Sequence, residues 1–245
     1  MTSLHLIIPM GGSGSRFNEM GFCVPKPLIC IYDHPFLYWS ARSICKFVPD
    51  CDITFVVLKQ HIKEFNISDV IHYYFPDANI VVIDHVLNGA VMTCLAGVEV
   101  VKDDVPILFN DCDHLFRCDP LAKIIRNPDA ILDGYLLTFY SNSPNYSYVL
   151  CDSNGIVTKT REKEVISNDA ICGAYAFRNK QVFIENATKY LNSCNYKEFY
   201  MSGVYNVMAA NGLQSGVLRT DYHVSFGIPS EYNEAMKRME YKDLL

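Results

Sequence analysis

An apolar run, Leu4 to Pro9, empties into Met10-Gly11-Gly12-Ser13-Gly14-Ser15-Arg16-Phe17, with Pro25-Lys26-Pro27-Leu28 close behind. A buried strand that opens into a glycine-rich turn commits the chain to an α/β arrangement in which the strand's carboxyl end faces a ligand. Gly11, Gly12 and Gly14 leave backbone N–H groups uncovered and let the chain approach an anion closely, while Arg16 and Lys26 add fixed positive charge. Two common phosphate loops are excluded. The dinucleotide fingerprint needs a glycine where Phe17 stands, and the Walker pattern lacks its Gly-Lys-Ser/Thr. The glycines alone fit an ordinary turn equally well; the two cations point to a nucleoside triphosphate, with Met10, Gly11, Gly12, Ser13 and Gly14 as its contacts.

Strand and helix then alternate, the pattern of a parallel sheet covered on both faces. Helices are predicted over Phe36–Phe47, Ile62–Phe75 and Ala90–Val101, and strands over Ile53–Leu58, Asn79–Ile83 and Pro106–Asn110. The second half is richer in strand: Gly134–Tyr140, Tyr148–Asp152, Ile156–Thr160 and Ile171–Arg178, with Ser153-Asn154-Gly155 as a hairpin turn. Helices around Lys180–Leu191 and Phe199–Asn211, an extended stretch Val217–Phe226 and a helix opened by Pro229 complete the reading. The fold class is α/β: a Rossmann-like, mixed, mostly parallel sheet with helices on both faces, plus a β-rich acceptor lobe. One domain spans 1–245, with residues 1–130 mainly nucleotide-binding and 131–245 mainly acceptor-binding, softly divided near Asn127–Asp133.

The predicted strand Pro106–Asn110 ends in Asp111-Cys112-Asp113-His114. If the segment stays extended, Asp111 and Asp113 share one face, and carboxylates that close need a neutralising cation. Mg²⁺ suits them, because it takes one or two carboxylates together with substrate phosphate oxygens. A polar turn after a strand is the alternative. His114 reads as a polar neighbour, since an ionised phosphate attacks without a base.

Net charge is −6, so no global basic field draws the chain to nucleic acid or to a membrane surface, and anionic substrates must be held by local cations. No apolar run approaches the ~20 residues of a membrane span, and no secretory segment is evident, which places the protein in the cytoplasm. The ten cysteines contain no CxxC and no zinc-type spacing, so reduced, mostly buried thiols are expected. A homodimer is compatible with all of this.

IIPMGGSGSRF followed by PKPL resembles the signature of the sugar-1-phosphate nucleotidylyltransferases, the nucleoside-diphosphate-sugar pyrophosphorylases, whose wider superfamily includes small cytidylyltransferases. The resemblance spans most of the chain and is strongest over residues 7–28. It implies that NMP passes from an NTP to a phosphorylated small-molecule acceptor with release of pyrophosphate, Arg16 and Lys26 acting at the phosphates. In ILFNDCDHLF it makes Asp113 the first metal ligand and Asp111 a second candidate. Asn88-Gly89-Ala90-Val91-Met92-Thr93 stands where the family turns into a helix beside the base, which implicates Gly89. Arg161-Glu162-Lys163 is similar to a Glu-Lys-Pro element and makes Lys163 an acceptor ligand, followed by Gly173 and Tyr175 in ICGAYAF. The closing Phe226-Gly227-Ile228-Pro229 departs from the family: Ser225 occupies the place of a second metal aspartate, and Asp221 is the nearest carboxylate upstream.

The expected reaction makes an NDP-sugar, for surface polysaccharide synthesis. The runner-up is a CTP-dependent transfer to a non-sugar phosphate or phosphonate, for which Tyr146, Tyr148, Tyr175 and Tyr205 would cage a quaternary ammonium. A glycosyltransferase-like enzyme or a non-catalytic nucleotide-binding protein is the further alternative, and Arg16 with Lys26 argues against it.

Overall fold

The computed structural model describes residues 3–102, 104–127 and 132–238. The opening strand β1 (Leu4–Met10) is an interior strand of a nine-stranded sheet, and its two faces are populated by strict alternation. Leu4, Leu6, Ile8 and Met10 enter one core, and Ile7 enters the other. Beyond it run a short helix α1 (Ser15–Glu19), a small hairpin β2 (Cys30–Ile31) and β3 (His34–Pro35), and helix α2 (Phe36–Cys45). Next come β4 (Cys51–Leu58), α3 (Lys59–Phe65), α4 (Ile67–Tyr74), β5 (Asn79–Ile83), α5 (Ala90–Gly97), β6 (Ile107–Asn110), β7 (His114–Arg117) and α6 (Asp119–Ile125). The remainder is β8 (Gly134–Tyr140), β9 (Ser147–Cys151), β10 (Val157–Glu162), β11 (Asp169–Phe177), α7 (Lys180–Ser193), α8 (Met201–Ala210), β12 (Ser215–Arg219), β13 (Tyr222–Ser225) and α9 (Pro229–Lys237).

Strands β6, β1, β4 and β5 pair in parallel, as expected from the strand–helix alternation. On the far side of β6 the sheet turns antiparallel: β11 pairs β6, β8 and β9, β10 pairs β9, and β12 rejoins parallel to β8. The strands of the second half therefore extend the same sheet. One face is covered by α2, α4 and α6 through residues such as Leu37, Ile71 and Leu121, the other by α5, α7 and α8 through Val91, Phe183 and Tyr205. No helix among the described residues is long and apolar enough to cross a membrane.

Three local differences from the sequence reading have physical causes. The helical stretch Ile62–Phe75 is two helices, because Asn66 sits left-handed at φ 49° between them. The extended stretch Val217–Phe226 is likewise two strands in different sheets: β12 lies in the main sheet, whereas β13 pairs only with β7. That second pairing makes a two-stranded ribbon directly after Asp113, which the sequence reading did not find. Part of the soft boundary Asn127–Asp133 lies outside the described residues.

A third apolar cluster joins distant parts of the chain under the glycine loop. Phe17 of α1, Phe36 and Trp39 of α2, Leu115 of β7, Phe226 just past β13 and Ala235 of α9 are all buried together. Phe17 meets Phe36 edge-on at 5.8 Å and Tyr232 at 6.3 Å, and Phe36 meets Phe226 at 4.5 Å. These are favourable aromatic geometries, each contributing on the order of 0.5–1.5 kcal/mol beyond burial.

Candidate active site

Because β1 and β6 are parallel neighbours, their carboxyl ends deliver the glycine loop and the acidic cluster to the same edge of the sheet. Two cavities open there. The smaller, about 380 Å³, is lined by Met10, Gly12, Ser13, Gly14 and Phe17 on one side and by Glu198 on the other. The larger, about 780 Å³, is lined by Tyr146, Glu162, Lys163, Tyr175, Tyr200 and Glu231 among others. They share a wall made of Arg16, Lys26, Asp111, Asp113 and Gly227. Four of those five residues have ionisable side chains.

The glycines of the loop have distinct physical duties. Gly11 is buried, and a Cβ there would lie 2.6 Å from Ile83 Cδ1 and 3.1 Å from Thr93 Cγ2, so it serves packing and lines neither cavity. Gly12 has open space where a Cβ would stand, leaving its backbone accessible to a ligand. Gly14 is left-handed at φ 64° and starts α1; a Cβ on it would come within 3.3 Å of Lys26 Cβ. The loop is thus folded back on the segment that carries Lys26, which begins a single turn of 3-10 helix between Pro25 and Leu28.

Lys26 Nζ is hydrogen-bonded and ion-paired to Asp113 Oδ2. Burial works against the ammonium, but Asp113 above all raises Lys26 over its ordinary value. Burial likewise opposes the Asp113 carboxylate, and Lys26 with His114 nevertheless holds it below the usual carboxylate range. Asp111 is the contrasting case. Its burial and the neighbouring Asp113 charge push it up to about 8, and it forms no ion pair among the described residues. A half-buried carboxyl with no ion-pair partner among the described residues, beside a second carboxylate on a cavity wall, is a donor set that fits a hard, oxygen-seeking cation such as Mg²⁺.

The bulge in β11 makes room for Asp111. Register slips between Ile171 and Tyr175, Gly173 turns to φ 85°, and its carbonyl accepts the Asp111 N–H at 2.9 Å. A Cβ on Gly173 would lie 2.6 Å from Asp111 Oδ2, so only glycine fits. The fold therefore explains Gly173 by its contact with the acidic cluster, while Tyr175 and Lys163 line the larger cavity. Lys163 is exposed in a left-handed conformation at φ 54°, its ammonium 5.4 Å from the Tyr200 ring centre.

Besides Gly11, two predicted residues are not brought to either cavity. Asp221 is exposed, and its Oδ2 accepts the backbone N–H of Asp119 at 2.8 Å, tying down the start of α6; it is a helix-end acceptor remote from the cation pair. Gly89, at φ 91°, is needed because the Phe199 backbone passes where its Cβ would be, and Ala90 rather than Gly89 faces the larger cavity. The tyrosine cage also fails to assemble. Tyr148 and Tyr205 are fully buried, donating to the carbonyl oxygens of Ser143 at 2.7 Å and of Tyr135 and Ala176 at 2.9 and 2.8 Å, so only Tyr146 and Tyr175 of the four reach the cavity.

The carboxylate that does stand at the closing segment is Glu231, one turn into α9. Tyr146 Oη donates to its Oε1 at 2.6 Å, while Ser225 Oγ and the Gly227 N–H donate to Oε2 at 2.6 and 3.0 Å. A Cβ on Gly227 would lie 2.7 Å from Asp113 Oδ2, so Glu231 and Asp113 flank the same glycine. Its sequence signal was a Glu placed to reach back to the first N–H groups of a helix opened by proline. Glu162 is held similarly, accepting from the Ser147 and Ser202 hydroxyls. His114 is buried against Asn110 and lowered to about 4 by desolvation, which suits a structural role.

Comparison with known proteins agrees with this architecture. The nucleotidyl transferase family profile matches residues 5–241. The D-glycero-alpha-D-manno-heptose 1-phosphate guanylyltransferase of Campylobacter jejuni is 23% identical over 234 residues, covering 94% of this chain and 97% of that protein. Among solved structures, the nucleoside-diphosphate-sugar pyrophosphorylase of Vibrio cholerae RC9 superposes with a TM-score of 0.81 at 21% identity, covering 95% of this chain and 99% of that one. The inositol-1-phosphate CTP transferase of T. maritima superposes with a TM-score of 0.74 at 14% identity, covering 98% and 96%. With the profile spanning nearly the whole chain and the glycine loop, cation pair and acidic wall meeting at one edge of the sheet, the protein belongs to the nucleotidyl transferase family.

Proposed function

We propose that this enzyme transfers a nucleotidyl group from an NTP to a sugar 1-phosphate, releasing pyrophosphate and forming an NDP-sugar. The observation that carries the reading is the pair of cavities meeting at Arg16, Lys26, Asp111 and Asp113. The glycine-loop cavity takes the triphosphate and the larger one the acceptor. An acceptor phosphate oxygen attacks the α-phosphorus in line; the new P–O bond forms as the bond to the leaving pyrophosphate breaks. Attack by an ionised phosphate needs no general base, and His114 at about 4 supplies none. The protein's contribution is alignment and charge neutralisation. Asp111 and Asp113 would hold Mg²⁺, which when bound screens the phosphate charges from one another. Arg16 and Lys26 reach both cavities and hold the α-phosphate and the departing pyrophosphate.

A sugar acceptor is favoured on two grounds. The Campylobacter jejuni relative is named for a sugar 1-phosphate, and the acceptor cavity presents the anchored carboxylates Glu162 and Glu231, suited to hydroxyl groups, with Lys163 for the phosphate. Surface polysaccharide synthesis in the cytoplasm is the setting we assign. The test is a pyrophosphate-release screen crossing the four NTPs with sugar 1-phosphates, phosphocholine and aminoethylphosphonate. Release from one NTP with a sugar 1-phosphate is expected; release confined to CTP with a non-sugar phosphate would transfer the assignment to that acceptor class. Lys26→Ala and Arg16→Ala should each slow turnover by roughly two to four orders of magnitude, the scale for losing one charge-stabilising group at a transition state. Near-full turnover in a folded Lys26→Ala protein would sink the mechanism.

A further inference from the structure

One cluster in the acceptor cavity is left unused by the transfer reaction. His114, Cys172 and His223 each offer one metal-ligating atom, and these atoms lie within 4.8 Å of one another. All three residues line the larger cavity. They come from three strands: His114 opens β7, Cys172 sits in the bulge of β11, and His223 is on β13. Their sequence spacing follows no zinc pattern, because the topology and not a local motif assembles them.

The details of the two imidazoles favour metal ligation over a packed polar cluster. His114 Nε2 lies 2.9 Å from Asn110 Oδ1, and Asn110 Nδ2 donates to the Ser40 carbonyl and hydroxyl at 3.1 and 2.8 Å. The amide is therefore oriented with its oxygen toward the ring, and that oxygen can only accept, so Nε2 carries the proton, while the ring's other contact is with the Cys172 backbone, which sets it beside the Cys172 thiol. A histidine whose distal N–H is fixed by a buried side-chain acceptor is the outer arrangement that orients metal-binding imidazoles. His223 supplies the second sign. Its Nε2 is shielded from solvent and has no hydrogen-bond partner among the described residues, although the ring itself packs on Phe139 at 4.1 Å. A buried, unsatisfied ring nitrogen beside a thiol and a second imidazole needs an explanation, and a bound cation provides one.

We propose that His114, Cys172 and His223 form a three-ligand site for zinc(II), with the fourth position open to the acceptor cavity. One thiolate and two imidazoles are soft to borderline donors, matched to Zn²⁺ and not to Mg²⁺, whereas the oxygen-only pair Asp111 and Asp113 has the opposite preference. Ligand distances of ~2.0–2.3 Å require the three atoms to draw inward by about an ångström, within reach of side-chain rotation. The ion would clip the two-stranded ribbon of β7 and β13 to the bulge of β11, so it would fix the spacing between the wall that carries Asp113 and the strand that carries Gly173. The binding step releases the thiol proton of Cys172 to solvent as the S–Zn bond forms.

The test uses the full chain, stripped with chelator and held in excess Mg²⁺ so that oxygen-ligand sites are filled. Cobalt(II) is titrated as a spectroscopic probe and zinc(II) by competition. The wild-type protein should bind one Co²⁺ with a near-ultraviolet thiolate-to-cobalt band and the strong visible bands of tetrahedral coordination, and Zn²⁺ should displace it and raise Tm. Cys172→Ser should abolish the thiolate band, His223→Gln should weaken Zn²⁺ binding by more than about 100-fold, and Asn110→Ala by about 10–100-fold through the loss of ring orientation. Cys23→Ser, which removes an exposed thiol elsewhere, should leave the band in place. Absence of the band in the wild type overturns the proposal, as does its persistence in Cys172→Ser or an unchanged zinc affinity in folded His223→Gln; circular dichroism checks folding in each variant.

Discussion

Asp111 shows how a single residue can trade stability for chemistry. Its ordinary value is 3.8, and in the folded chain it stands at about 8. Between those values the folded protein holds a proton that the unfolded chain has lost, so folding stability declines as pH rises from about 4 to about 8. Asp111→Asn removes this penalty. The variant should melt a few degrees higher than the parent at pH 8, with a flatter dependence of Tm on pH, while catalysis collapses. Differential scanning calorimetry at pH 5 and pH 8 would check it, and a variant that melts lower at pH 8 would show that the carboxyl is satisfied in the folded state. The residue type was readable in the sequence as half of an acidic pair. Its burial was not, because that depends on a bulge contributed by a strand about sixty positions downstream.

At the level of elements, the parts that were legible are those whose signal is local. The alternation along β1, the helix α2 behind Pro35 and the strands β5 and β8 follow from periodicity and punctuation alone. The ribbon of β7 and β13 was missed because neither strand exceeds four residues and each finds its partner across more than a hundred positions. For the same reason Asp221 looked nearer to the site than it is: it precedes a strand that turns away from the main sheet. Gly173 and Gly89 offer a matched pair for test. Gly173→Ala forces a side chain against Asp111 in a backbone region that disfavours it, and should cost about 1–3 kcal/mol and most of the activity. Gly89→Ala meets the Phe199 backbone, which is flanked by Glu198 and Tyr200 of the two cavity walls and does not touch the acidic cluster, so it should lower Tm comparably and raise KM while kcat stays near that of the parent. Urea denaturation with initial-rate kinetics separates the two.

For the whole molecule, the shared charged wall predicts that the substrates are not independent. Lys26 is engaged by Asp113 in the free protein and must be shared with phosphate once the triphosphate arrives. Saturation with NTP at ~100 times its Kd should stabilise the fold by about 2.7 kcal/mol, or roughly 5–10 °C in Tm for a chain of this size. Arg16→Ala should shrink that shift without lowering Tm in the absence of nucleotide, since Arg16 is exposed and its loss leaves the core intact. A thermal-shift series with and without NTP decides this, and an unchanged ligand-induced shift would remove Arg16 from the triphosphate cavity.

The aromatic cluster beneath the glycine loop carries a consequence for synthesis. Phe17 and Phe36 are held by Phe226 and Tyr232, and the Tyr32 hydroxyl donates to the Ala235 carbonyl, contacts that bridge about two hundred positions. During translation the glycine loop emerges about two hundred residues before its supporting floor, which is delivered only with α9. Over that interval the loop lacks the floor that holds it, so it acquires its working shape only after α9 has been made.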